Sequence, residues 1–209
     1  MTDAVPAPVA HLMASATELL RAKADLLDLT EADLASIRPG EAPPPTHFPA
    51  LALFDAMRDQ AEPETLAVVE AVLTARPYLH WRQTYSEEDG FDRSYLDRYC
   101  WCDLAGPQGP YRAQGIRIMI GYWGQGLVYP DHSHPPEEHY LILSGAAWIG
   151  LGRDPLRRHG PGDVFHTPPG AVHSAEMREA PLLALAIWRG ADLGVRIHLP
   201  GSDGIVSMA

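Results

Sequence analysis

The sequence predicts a mainly β protein, a jelly-roll barrel preceded by an N-terminal α-helical segment. Three observations carry this. From Tyr78 onward, short apolar and aromatic runs alternate with Gly and Pro punctuation, the texture of closely spaced strands. Before that point, apolar residues recur at helical spacing between proline breaks. Within the β-rich part, His132, His134 and Glu138 crowd into seven residues, and His173 follows a Gly/Pro-rich turn.

Residues 1 to about 8, with Pro6 and Pro8, read as a frayed tail. His11 to Leu27 places Leu12, Leu19, Leu20, Leu26 and Leu27 at helical spacing. Thr30, with Asp33 three residues on, signals the capped start of a short second helix. Pro39-Gly40 and Pro43-Pro44-Pro45 predict a stiff linker. Residues 48–59 form another expected helix. Pro63 opens one more, with Leu66, Val69, Val72 and Leu73 on one side, and Arg76-Pro77 ends it. Residues 1–77 are thus expected as a helical extension packing on a barrel of residues 78–209.

In the barrel, Gly106 to Pro110 is an expected turn. Strands are expected at Ile116 to Tyr122, Leu127 to His132, Tyr140 to Leu143 and Ala146 to Leu151, with Ser144-Gly145 as a hairpin turn. Arg153 to Gly162 reads as a loop. Asp163 to Thr167 and Leu182 to Arg189 read as strands, and Val195 to Leu199 as the last one.

Composition narrows the function classes. The formal net charge of −11 argues against a nucleic-acid partner, which calls for a basic patch. An anionic small substrate stays compatible, because a metal dominates the field in its own pocket. No apolar run reaches membrane-spanning length, and the N-terminus lacks a basic region followed by an apolar stretch. A cytoplasmic protein is the expectation, as monomer or homodimer. Cys100 and Cys102, the two cysteines, share one strand face and read as small core residues rather than a redox pair.

On a strand, His132 and His134 project to one face, because side chains alternate with period two. A chain that enters with H-x-H, turns at Pro135-Pro136 and returns with Glu138 aims three ligands at one point. His173 closes the site from another strand. Imidazole and carboxylate suit a borderline divalent metal. Tyr140 shares the Glu138 face, and spacing alone leaves two readings open: a metal-side phenolate base, or an aromatic filling the barrel. His139 faces away from Glu138 and Tyr140 and is not expected as a ligand. His166 reads as a packing or surface residue, and His11, His47, His80, His159 and His198 as structural.

The stretch Gly126, His132, His134, Glu138, Gly145 matches G-x5-H-x-H-x3-E-x6-G, and Gly162, Pro168, Gly170, His173 matches G-x5-P-x-G-x2-H. These motifs resemble those of the cupin family, whose fold is a double-stranded β-helix. Met177 stands where that family commonly has Asn. The combination Tyr129, His132, His134, Glu138, Tyr140, His173 and Trp188, behind a helical segment, resembles the cupin-type dimethylsulfoniopropionate (DMSP) lyases of the Q type. That resemblance implies His134, Glu138 and His173 as ligands of one divalent transition metal (Fe(II), Mn(II) or Zn(II)). It sets Tyr140 at the metal as the base and His132 nearby, itself a fit to the ligand template. Tyr129 and Trp188 then line the pocket for a zwitterionic sulfonium carboxylate, with Tyr122 or Trp123 as further aromatic faces. The implied reaction is β-elimination to dimethyl sulfide and acrylate. Three other readings compete: an Fe(II) cupin dioxygenase, a lyase or isomerase on another small carboxylate, and a non-catalytic metal-dependent binding cupin.

Overall fold

A computed structural model describes residues 5–41, 43–190, 193, 196–199 and 205–207. Helix α1 (Ala7–Ala22) begins earlier than expected, because Pro6 and Pro8 sit where a missing amide proton costs nothing and φ is already helical. It also ends earlier. Residues 23–28 form turns that finish in Asp28 at φ 48°, and the Leu29 amide donates back to the Ala24 carbonyl at 3.0 Å. Leu26 is accordingly exposed while Leu27 is buried. Thr30 caps α2 (Glu31–Ala35) in a full capping box with Asp33.

The proline-rich stretch is strapped to the sheet rather than free. Arg38–Pro39 forms strand β1 against β3 (Tyr111–Arg112), and the Gly40 amide donates to Pro110. Residues Pro49–Gln60 take a 3-10 helix, and α3 (Pro63–Ala75) follows. After the short α4 (Arg93–Leu96), β2 (Tyr99–Ala105), β4 (Ile116–Trp123), β6 (Glu137–Gly145), β9 (Val164–Thr167) and β11 (Leu182–Arg189) join β1 and β3 in a seven-stranded sheet, ordered β1-β3-β2-β4-β11-β6-β9. Strands β5 (Val128–His132), β10 (His173–Glu176), β7 (Ala147–Leu151) and β8 (Arg157–His159) form a second, four-stranded sheet. The two sheets make the cupin jelly roll.

Ser144-Gly145 is therefore not a hairpin turn. Strands β6 and β7 lie in different sheets, and the chain crosses between them here. Gly145 has φ +76°, and a Cβ on it would lie 1.7 Å from the Pro181 carbonyl oxygen, so only glycine turns this corner. Two further expectations change. The 153–162 loop contains β8, and β12 (Arg196–His198) is followed by β13 (Ile205–Ser207), which pairs with it. Val195 lies outside the described residues.

Helices and sheet share one apolar cluster. Leu12, Leu20, Phe54, Val69 and Val72 pack with Cys100, Cys102, Ile118, Ile120, Leu141 and Leu185 from one face of the seven-stranded sheet. Both cysteines are fully buried free thiols, and burial pushes each well above its ordinary pKa. The opposite face holds a second cluster, rich in Tyr and Trp, that surrounds the site. Among the described residues no helix is long and apolar enough to cross a membrane.

Candidate active site

Strand register brings the motif residues together. His173 pairs directly with His132 across β10–β5, and Trp188 with Glu138 across β11–β6. The two motifs are tied by the Gly170 amide, which donates to the His134 carbonyl at 2.9 Å. From the C-terminal side, Ser133 and His198 exchange backbone hydrogen bonds at 3.0 and 2.9 Å, clamping the segment between His132 and His134. Each of His132, His134, Glu138 and His173 is at most 2% exposed.

The three imidazoles are oriented in the same way. His132 Nδ1 donates to the Pro130 carbonyl at 2.8 Å, His134 Nδ1 to Pro136 at 2.9 Å, and His173 Nδ1 to Ala171 at 3.1 Å. A carbonyl only accepts, so Nδ1 carries the proton in each ring and Nε2 is left as the free ligand atom. His132, His134 and His173 each offer a nitrogen within 4.8 Å of the others'. Glu138 Oε2 lies 3.1 Å from His134 Nε2 and 3.2 Å from His173 Nε2. Its Oε1 accepts the Trp188 indole N–H at 2.6 Å, and the Trp188 ring packs on His134 with centroids 4.4 Å apart.

This arrangement is incomplete on its own. His173 Nε2 is buried without a hydrogen-bonding partner, its approach to Glu138 being poorly aligned. A His134 lone pair aimed at a carboxylate is repulsive unless a proton or a cation lies between them. Burial alone opposes a charged His134, but the Glu138 charge and hydrogen bond outweigh it and raise its pKa. Burial likewise opposes ionised Glu138, yet His134 and then His173 hold it well below the usual carboxylate range. Burial, with His173 next, pushes His132 well below its ordinary value, so that ring is neutral. With an ion in place of the proton shared by His134 and Glu138, three Nε2 atoms and one carboxylate are a fitting donor set for a borderline divalent metal.

Tyr140 is 7% exposed, and burial, followed by the Glu138 charge, pushes its phenol well above its ordinary value. It lines a cavity together with His132, His134, Glu138, Tyr129 and Trp188. Tyr122 does not reach this cavity. Strand alternation turns it to the helical side, where its ring lies 4.6 Å from Phe54, while its neighbour Trp123 lines the cavity instead. Tyr99, Trp101 and Met119 also line it and went unassigned in the sequence. The period-two pattern Tyr99, Trp101, Asp103 against Cys100, Cys102, Leu104 was the available signal.

Beneath these aromatics, Arg117 and Asp103 form a buried, two-pronged ion pair, Nε to Oδ1 at 2.6 Å and Nη2 to Oδ2 at 3.1 Å. The guanidinium sits 5.4 Å from the Trp101 ring and 5.7 Å from the Trp188 ring, bracing both.

Residues 23–184 match the family model for DMSP lyases. The chain is 36% identical over 148 residues, covering 70% of it and 72% of the relative, to the DMSP lyase DddQ of Ruegeria pomeroyi. It is 29% identical over 192 residues, 88% of the chain and 75% of the relative, to a putative DMSP lyase, DddL, of Cereibacter sphaeroides. The crystal structure of the Ruegeria pomeroyi DddQ superposes with TM-score 0.83 at 30% identity, covering 94% of this chain and 98% of that one. A second structure, from work on the DMSP lyases RdDddP and RnDddQII, gives 0.83 at 31% identity over 92% and 97%.

Proposed function

The chain belongs to the DMSP lyase family of carbon–sulfur lyases, and we propose that it cleaves DMSP by a metal-dependent β-elimination that Tyr140 initiates. The observation that carries this reading is the convergence of three Nδ1-pinned histidines and Glu138 beside a buried phenol and an aromatic cavity. His132, His134, Glu138 and His173 would hold one divalent transition metal, Fe(II), Mn(II) or Zn(II), with Tyr140 beside it. When bound, that ion supplies the positive charge that favours an ionised Tyr140 and stabilises negative charge growing on the substrate carboxylate.

Without a cation, Tyr140 is in the wrong state for a base, since burial and Glu138 both favour the neutral phenol. As phenolate, its Oη takes a proton from the carbon next to the carboxylate. The C–H pair becomes the new C=C bond, the C–S pair leaves with sulfur, and dimethyl sulfide and acrylate result. A sulfonium accepts no hydrogen bonds, so its recognition falls to π faces. Tyr129, Trp188 and Trp123 line the cavity, and each contact of this kind contributes on the order of 0.5–2 kcal/mol. The same reading has the enzyme act in the cytoplasm on this small zwitterion, as monomer or homodimer, without nucleic acid.

The test is headspace gas chromatography on protein loaded separately with Fe(II), Mn(II) and Zn(II), given DMSP under nitrogen. Dimethyl sulfide and acrylate are expected in equal amounts, and Tyr140→Phe should keep its metal while losing about 10²–10⁴ in rate. A Tyr140→Phe variant as fast as wild type removes Tyr140 from the mechanism. A requirement for O2 favours the dioxygenase. No sulfide with any metal points to another small carboxylate.

A further inference from the structure

We propose that Glu137, His139 and His166 form a second metal site, for a zinc-class divalent ion, on the face of the β6–β9 ladder turned away from the cavity. Glu137 and His139 are two apart on β6 and share a face, while His166 is the direct cross-strand partner of His139. One carboxylate oxygen and two ring nitrogens thereby lie within 4.8 Å of one another. The His139 and His166 rings stack at 4.5 Å with an 18° interplanar angle, and His166 Nε2 lies 2.7 Å from Glu137 Oε1.

The burial gradient suits ion capture. His139 is a buried anchor, the Glu137 side chain is 25% exposed, and the His166 side chain is 46% exposed, with solvent on one side into which its ring turns out of the stack to bring a lone pair onto an entering ion. Two imidazoles and a carboxylate are a zinc-type donor set, and water completes four-coordination from the open side. The cation facing it across the ladder is itself paired. Arg189, across from Glu137 on β11, is engaged by the Asp28 carbonyl and by Asp33 at 3.0 Å. An ion here ties β6 to β9 beside the Glu138–Thr167 pair. The site uses none of the residues of the cavity and is independent of the reaction proposed there.

The decisive measurement is equilibrium dialysis of the full chain against buffered Zn(II), with zinc counted by elemental analysis. Wild type should hold two ions per chain and His166→Ala one. Affinity for the outer ion should fall at least about 100-fold in His166→Ala, since even outer-shell partners cost up to that much. Glu137→Gln should weaken the same ion, and dimethyl sulfide release by the loaded enzyme should persist in both variants. Added Zn(II) should raise the melting temperature of wild type further than that of His166→Ala. Two ions retained in His166→Ala overturn the proposal. One ion in wild type, lost in His173→Ala but kept in His166→Ala, also overturns it while leaving the cavity site intact. Zinc-free wild type overturns both.

Discussion

Along β4, Ile118, Ile120 and Tyr122 point into the layer beneath the N-terminal helices, whereas Met119, Gly121 and Trp123 line the cavity on the other face. Strand β6 divides in the same way, with Leu141 and Leu143 in the helical layer and Glu138 and Tyr140 at the cavity. The helical face is apolar and buries its surface against α3 and the 49–60 helix, with α1 packed on α3. The cavity face buries carboxylate, imidazole and phenol groups, of which Glu138 and the three ring Nδ1 atoms have specific partners while His173 Nε2 has none. A one-residue slip in register would exchange the two sets, so the helical layer holds the chemistry in place by fixing which residues face inward. Stability and function are thereby assigned to alternate residues of the same strands.

Substitutions on opposite faces should separate accordingly. The largest effect belongs to the cavity: Glu138→Ala removes the carboxylate between His134 and His173, and bound metal and lyase activity should vanish together. Retained activity without metal in that variant contradicts the metal dependence. Next, on the helical face, Phe54→Ala deletes a fully buried ring set against Trp81 at 5.2 Å and Tyr122 at 4.6 Å. It should cost about 3–5 kcal/mol in denaturant unfolding, with kcat unchanged in the folded fraction.

Trp188→Phe keeps an aromatic face but loses the N–H that holds Glu138 Oε1. Metal affinity should fall about 10–100-fold, as for other outer-shell partners, with a smaller change in KM. A change confined to KM would instead make Trp188 purely a substrate contact. Metal uptake should also release protons, because the raised His134 pKa places a proton where the ion must bind. That proton is held more fully as pH falls, so affinity should weaken toward acid. Calorimetry in buffers of different ionisation enthalpy counts the release: the His134 share should rise toward one proton per chain as pH falls below its pKa, with a further proton from Tyr140 where the bound ion ionises it. The smallest effect is expected from Tyr122→Phe, within about twofold in kcat and KM, since exposed-cavity contacts are not altered. A large loss there would contradict the facing of β4.

How much was legible in the sequence follows from the range of each interaction. Period-two alternation put Glu138 and Tyr140 on one face and His139 on the other, a local rule that needs no partner strand. The same rule, applied to β4 without knowing which face was inward, could not separate Tyr122 from Trp123, and the expectation of Tyr122 at the substrate fails. The Thr30 capping box was readable because its partner, Asp33, is one turn away. By contrast, Ser144-Gly145 looks like a hairpin locally, and only the placement of β6 and β7 in separate sheets makes it a corner.

The chain's own order of residues determined the strand-rich barrel behind helices, the metal-type donor set and its two glycine-bearing turns, because alternation, capping and turn preference act over a few residues. Tertiary structure alone decided three things: that Trp188 lies opposite Glu138 and holds it, that Arg117 and Asp103 pair beneath the aromatic wall, and that His139 meets His166. Each is a contact between strands far apart in the chain, and such a partner is chosen by sheet order and register, which no local preference encodes.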